Sequence, residues 1–189
     1  MVEYYIREII KETEGEIMIR KANQGDIAAV VGIYDAILEA EEQGKAAIGW
    51  IRGVYPTEQT AKDSFEKASL FVYEDDRKVV AAAKIDHTQV PVYADCKWEY
   101  EVANNEVMVL HTLAVDPRYP HRGYGKRFVE FYEQYALENN CHYLRMDTSK
   151  INLVARQMYR KLGYKEIGVV PCVFNGIPDA QLVCLEKRI

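Results

Sequence analysis

The stretch from Val107 to Tyr164 constrains the fold of this 189-residue chain more than any other part of it. It opens with Val107-Met108-Val109-Leu110-His111-Thr112-Leu113-Ala114-Val115, an apolar run with β-branched residues that stops at Asp116-Pro117. A run of that length closed by a turn reads as a buried strand. Gly123-Tyr124-Gly125 follows, and Phe128, Val129, Tyr132, Tyr135 and Ala136 then recur at helical spacing, so a helix starts directly behind two glycines. A strand-like segment, Cys141 to Thr148, and a second amphipathic helix ending at Gly163-Tyr164 complete a strand, turn, helix, strand, helix unit.

A glycine turn leading into a helix N-terminus suits an anion. The first backbone N–H groups of a helix have no intrahelical partner, the positive end of its dipole lies beside them, and glycine lets a phosphate approach the main chain. The same pattern also fits an ordinary connection in which Gly123 and Gly125 only supply positive φ. Two phosphate motifs are excluded. A Walker A loop needs glycine where Pro120 stands and Ser or Thr where Arg127 stands, and a dinucleotide fingerprint needs its third glycine at Phe128.

Leu113-Ala114-Val115-Asp116-Pro117 followed by Gly123-Tyr124-Gly125-Lys126 resembles the acetyl-CoA signature of the GNAT superfamily of acyl-CoA-dependent N-acetyltransferases. Asn152-Leu153-Val154-Ala155-Arg156-Gln157-Met158-Tyr159-Arg160-Lys161-Leu162-Gly163-Tyr164 is similar to that family's N-x-x-A-x-x-x-Y-x-x-x-G-[FY] segment. The resemblance covers the C-terminal half of the chain, and the N-terminal half matches in the order of its elements. It implies acetyl-CoA as cosubstrate, without a metal, bound at the main chain of Leu113, Ala114 and Val115, at Arg122, Gly123, Tyr124, Gly125 and Lys126, and at Asn152 and Tyr159. One departure is Pro120, where the family usually has Gln or Arg; proline has no N–H to offer a phosphate.

The implied chemistry is acyl transfer from a thioester to an amine. An alkylamine has a pKa around 10, so about one molecule in a thousand is nucleophilic at neutral pH and a base is needed. His111 is the first candidate, since imidazole titrates near neutrality and His111-Thr112-Leu113-Ala114-Val115 resembles the His-containing strand of arylalkylamine N-acetyltransferases, where the histidine works through water. A histidine on a buried strand is equally often plain packing. Glu106 is the second candidate. Tyr159 stands where the family places the proton donor for the leaving thiolate, although without the motif it reads as a core residue of the stripe Ala155, Met158, Tyr159, Leu162. Asn152 can cap its helix, and the family's matching residue bonds the pantetheine arm. Main-chain N–H groups at Leu113 to Val115 would serve the developing oxyanion.

Composition sets outer bounds. A 189-residue chain that is 49% apolar and 28% charged fits one domain, 1–189, with an N-terminal extension over 1–15 carrying Tyr5, Ile6, Ile9 and Ile10 on a short helix. A net charge of −5 argues against nucleic acid as main partner and is compatible with cationic amines. The cysteines Cys96, Cys141, Cys172 and Cys184 show no metal-binding spacing, and there is no signal-peptide pattern and no 18-residue apolar run. Reduced thiols, a cytoplasmic setting, no membrane span and a monomer or homodimer are the expectations.

The remaining elements follow in order. Ile17 to Lys21 suggests a first strand, and Gly25-Asp26 a cap for a helix buried along Ile27, Val30, Val31, Tyr34 and Leu38. The acids Glu39, Glu41 and Glu42 read as a solvated terminus. Pro56-Thr57 starts a helix carrying Ala61, Phe65 and Ala68, with Trp50 and Tyr55 ahead of it as packing or substrate contacts. Leu70 to Tyr73 and Lys78 to Ile85 read as a hairpin. Asp86 to Glu106, acidic and aromatic, is long enough for a lid that holds an ammonium group, or for a solvated excursion. Tyr164 to Val170 and Gln181 to Lys187 are the last strands, joined by a segment with an Asn-Gly turn. The fold class is therefore α/β (α+β): one mixed, mostly antiparallel sheet of six or seven strands flanked by four to five helices. Three functions fit: acetyl transfer to a small-molecule amine, acetylation of a protein lysine or N-terminus, and acyl-CoA binding without turnover.

Overall fold

The computed structural model describes residues 18–189, so the helix expected over 1–15 lies outside the described residues. Seven strands and four α-helices are described: β1 (Met18–Lys21), α1 (Ile27–Glu42), α2 (Glu58–Glu66), β2 (Leu70–Asp75), β3 (Lys78–Asp86), β4 (Val107–Val115), α3 (Tyr124–Glu138), β5 (Tyr143–Ser149), α4 (Leu153–Lys161), β6 (Lys165–Phe174) and β7 (Ile177–Arg188). The strands form one sheet in the order β1-β2-β3-β4-β5-β7-β6, with every neighbouring pair antiparallel except β4 and β5.

Two tight turns fix the hairpins. Asp76 and Arg77 join β2 to β3 with φ of 49° and 59°, and Asn175-Gly176 joins β6 to β7 with φ of 50° and 84°. Two consecutive left-handed residues match the twist of antiparallel strands. Pairing therefore continues to the turn at Phe174↔Ile177, so the segment expected to link the last two strands is itself strand. Pro171 is tolerated there because β6 is the sheet edge.

Alternation along the strands separates two apolar layers. Met108, Leu110, Leu144 and Met146 face α3 and α4, where they meet Phe128, Val129, Tyr132 and Tyr159. On the opposite face α1 and α2 bury Ile27, Val30, Ile33, Tyr34, Ile37 and Ala61 against Leu70, Val72, Ala82 and Ala114. The stripe of α1 thus includes Ile33 and Ile37, while Val31 is only partly buried. The acids at its end are not merely solvated: Glu41 accepts the N–H groups of Ile48 (2.7 Å) and Gly49 (2.8 Å), which folds the α1–α2 connection back on the helix.

The excursion between β3 and β4 covers the rest of that second face, packing Tyr93 and Cys96 on Val107, Val109 and Cys184. Its aromatic residues hold a cation of the chain itself. The Arg145 guanidinium lies 4.2 Å from the Trp98 ring, donates to Glu186 (3.1 Å), Gln89 (2.6 Å) and the Tyr100 carbonyl (2.7 Å), and is nearly enclosed. The segment is therefore a packed cover. Among the described residues no helix is long and apolar enough to cross a membrane, and no cluster of three or more His, Cys, Asp or Glu is arranged to hold a metal.

Removing one partner of a buried ion pair leaves the other charge uncompensated and costs about 3–5 kcal/mol. Arg145→Met is expected to lower unfolding stability in urea by that order, and Arg145→Met combined with Glu186→Leu to recover most of it. A single variant as stable as the wild type would contradict this role for the pair.

Candidate active site

Strands β4 and β5 pair from Val107↔Tyr143 to Leu110↔Met146 and then part, although β4 runs on to Val115 and β5 to Ser149. On its other side β4 stays joined to β3 through Ala82↔Ala114 and Ala81↔Val115. The register of that pair slips between Ala82 and Lys84, and Thr112 adopts φ 53° there. An extra residue in one strand bends it and turns its far end away from its neighbour. A cavity of about 680 Å³ occupies the resulting gap, and its lining includes His111, Leu113, Asp147, Asn152 and Tyr159.

The α1–α2 connection and the β6–β7 hairpin wall the cavity with Trp50, Tyr55 and Phe174. Their rings meet edge to face, Trp50 with Tyr55 at 6.1 Å and Tyr55 with Phe174 at 6.0 Å. The Tyr55 hydroxyl is hydrogen-bonded to Thr112 Oγ1, which ties this wall to the bulge of β4. Burial pushes the Tyr55 phenol up to about 12.

His111 is nearly buried, and its Nε2 lies 2.8 Å from the Thr88 carbonyl and 3.6 Å from Asp86 Oδ1. A carbonyl only accepts, so Nε2 carries the proton and neutral His111 keeps its lone pair on Nδ1. Burial of Asp86 opposes its ionisation, but hydrogen bonds from His111, the Thr88 N–H and Lys84 outweigh it and hold the carboxyl below the usual range.

Tyr159 is 5% exposed, and burial, with Asp147 second, pushes its phenol well above its ordinary value. It is a protonated donor at any working pH. Asn152 caps α4, its Oδ1 accepting the Ala155 N–H at 3.1 Å, while the residue also lines the cavity. Its amide nitrogen is not used by the cap.

The glycine turn is shaped by Asp116, which is buried and accepts from the Arg118 N–H (3.0 Å) and its guanidinium (2.7 Å). Gly123, at φ 75°, precedes α3, and the first intrahelical donor is Arg127 to the Gly123 carbonyl. The N–H groups of Tyr124, Gly125 and Lys126 come before it and point out of the helix. A Cβ on Gly125 would lie 3.2 Å from Met158 Sδ and 3.5 Å from Val115 Cγ2, so glycine lets the helix start this close to β4 and α4. The Tyr124 side chain turns away to donate to Asp75, leaving only its main chain to a ligand. Arg122 is exposed, and Lys126 reaches Glu130 at 3.2 Å. An open strand edge, three outward N–H groups and a spare carboxamide fit a phosphate-bearing, amide-containing arm, and the lost donor at Pro120 leaves that set intact.

Glu106 falls outside this arrangement. It is exposed, precedes β4, is absent from the cavity lining and accepts the Ala103 N–H at 3.1 Å. It stands five residues before His111, which at about 3.3 Å per residue places it about 16 Å away along the strand. Asp147 was missed in sequence. It follows Met146, the last residue of β5 paired to β4, and its Oδ2 accepts the Tyr93 hydroxyl at 2.8 Å. Burial raises its carboxyl, opposed by Tyr93 and by His111. An acid at the point of divergence has no local signal, because the divergence is set by β4.

The sequence pattern of the Acetyltransferase (GNAT) family matches residues 36–164. An uncharacterized N-acetyltransferase of Methanocaldococcus jannaschii is 29% identical over 79 residues, which are 42% of this chain and only 35% of that protein. A GNAT-family acetyltransferase structure from Streptococcus agalactiae superposes with a TM-score of 0.77 at 20% identity, covering 93% of this chain and 98% of that one. The Salmonella typhimurium protein yncA, solved with its cofactor acetyl-CoA, superposes at 0.63 with 16% identity over 91% and 93%.

Asp86 gives the site a pH signature. Its carboxyl is held lower in the folded chain than the ordinary value of about 3.9. The contribution to stability is therefore complete above that value and is lost as pH falls below it. Between pH 5 and pH 3, on the order of the window that linkage sets, the wild type is expected to lose more urea stability than Asp86→Asn; parallel losses would contradict the pairing.

Proposed function

The chain belongs to the GNAT acetyltransferase family, and on that premise we propose that it is an acetyl-CoA-dependent N-acetyltransferase acting directly on a primary amine of a small molecule in a ternary complex. The observation that carries this reading is the gap between β4 and β5, which gathers His111 and Tyr159 around one cavity. A cavity of about 680 Å³, walled by aromatic side chains, has the size of a small-molecule site.

Coenzyme A brings the acetyl group as a thioester. The N–H groups of Tyr124, Gly125 and Lys126 at the start of α3 suit its pyrophosphate, with Arg122 alongside. The edge of β4 at Leu113 to Val115, left unpaired on the β5 side, and the Asn152 carboxamide suit the amides of its pantetheine arm. The neutral amine nitrogen attacks the thioester carbonyl, the C–N bond forms and the C–S bond breaks, and the chain's side chains serve the two proton transfers that accompany this. His111 takes the proton of the acceptor ammonium through its free Nδ1, directly or through water, and Asp86 stabilises the imidazolium that forms. Tyr159 gives its proton to the departing thiolate.

A peptide acceptor is the second reading. Its specific support is the exposed apolar trio Ile151, Leu153 and Val154 (54%, 66% and 83% exposed) where α4 starts beside the cavity.

Release of coenzyme A thiol from acetyl-CoA with a panel of small amines and lysine peptides separates the readings: release with small amines supports the first, and with peptides alone the second. No release with any acceptor would overturn both. Tyr159→Phe is expected to lower kcat by about a hundredfold while acetyl-CoA affinity stays nearly unchanged, since the proton is needed only as the thiolate leaves. His111→Ala is expected to move the rate optimum toward the alkaline range where the amine is already neutral, and an unchanged pH profile would remove His111 as base.

A further inference from the structure

One carboxylate of the cavity has no lysine or arginine paired to it among the described residues. Of the acids that line it, Asp63 and Asp179 are exposed at the rim, whereas Asp147 is partly buried between the diverging strands. The other groups near it are His111 on β4, Tyr159 on α4, Tyr55 on the α1–α2 connection, Tyr93 on the excursion, Cys184 on β7 and Cys172 on β6. No lysine or arginine is among them. Three lysines line the cavity elsewhere: Lys84 is paired to Asp86 at 3.0 Å, and Lys67 and Lys150 are exposed. Burying a carboxylate without a cation is costly, and a single phenol at 2.8 Å satisfies only part of its acceptor capacity.

That phenol is held firmly. Tyr93 is 2% exposed, meets Trp98 edge to face at 5.0 Å, and accepts the Trp98 indole N–H on its carbonyl at 2.9 Å. The opposite partner of Trp98 is Arg145, on the same strand as Asp147 and two residues before it. The excursion thus pins Oδ2 of Asp147 from one side and leaves Oδ1 to the cavity.

We infer that Asp147 is the acceptor's ammonium-binding residue and that Tyr93 is its positioning residue, so that the cavity selects cationic primary amines with an apolar body. The body would lie along Trp50, Tyr55 and Phe174, and the ammonium would meet Asp147 beside His111, which then removes its proton. This rests on the acetyl-transfer reading only for naming the ligand as the acceptor. Burial raises the Asp147 carboxyl, and a cation bound beside it would lower it again.

Calorimetric titration of the full chain, without cofactor, with n-pentylamine and with 1-pentanol tests it. The amine, charged at neutral pH, is expected to bind at least about tenfold more tightly than the alcohol, the scale of one charge-assisted hydrogen bond. Asp147→Asn should abolish that preference, Asp147→Glu restore part of it, and Tyr93→Phe weaken it about threefold while steepening its loss at acid pH. Equal binding of amine and alcohol by the wild type, or a preference that survives Asp147→Asn, overturns the inference, and a Tyr93→Phe variant indistinguishable from the wild type overturns the positioning role. In turnover, Asp147→Asn should raise the amine KM with acetyl-CoA affinity unchanged. Because the titration involves no acetyl transfer, a protein that binds amines by charge but never acetylates them would leave this site standing and refute the function instead.

Discussion

Everything at the candidate site depends on two parallel strands ceasing to pair. Hydrogen bonding between β4 and β5 ends at Leu110↔Met146 while β4 remains bonded to β3, and the bulge at Thr112 supplies the bend. An unpaired strand edge inside a sheet is expensive unless something satisfies it. Here the edge opens on a cavity rather than on solvent at the rim of the sheet. The side chains proposed for the chemistry sit where the strands part: His111 just past the last paired residue of β4, Asp147 just past that of β5, and Tyr159 on the helix that follows β5.

The excursion between β3 and β4 supports both sides of this gap. Its Thr88 carbonyl fixes the tautomer of His111, and its Tyr93 hydroxyl fixes one oxygen of Asp147. Arg145, Glu186 and Trp98 anchor the segment by a buried ion pair and a stacked guanidinium. On the far wall Tyr55 joins Thr112, linking the aromatic side of the cavity to the bulge. The site is thereby preorganised by groups from two separate connections.

Much of this was legible in the sequence because its signals are local. The apolar run Val107 to Val115, the paired glycines and the Asn152 to Tyr164 segment each announce an element within a few residues, and β4, α3 and α4 stand where those patterns put them. The hairpin turns were visible for the same reason. What was not legible depends on partners far along the chain. Glu186 accepts the Glu99 N–H across 87 positions, and Arg145 reaches Tyr100 across 45, so the excursion's aromatic residues gave no sign that their cation was internal. Asp147 looked like one polar residue in a strand. Glu106 looked eligible because it adjoins β4, but the strand carries it to the end opposite the gap.

The parted edge of β4 and the start of α3 are the proposed seat of the coenzyme, and amide hydrogen exchange tests that placement directly. Adding acetyl-CoA is predicted to slow exchange in the segments holding Leu113 to Val115 and Tyr124 to Lys126, and to leave the already covered strands β2 and β3 unchanged. Acetyl-CoA bound with no protection in either segment would contradict the account.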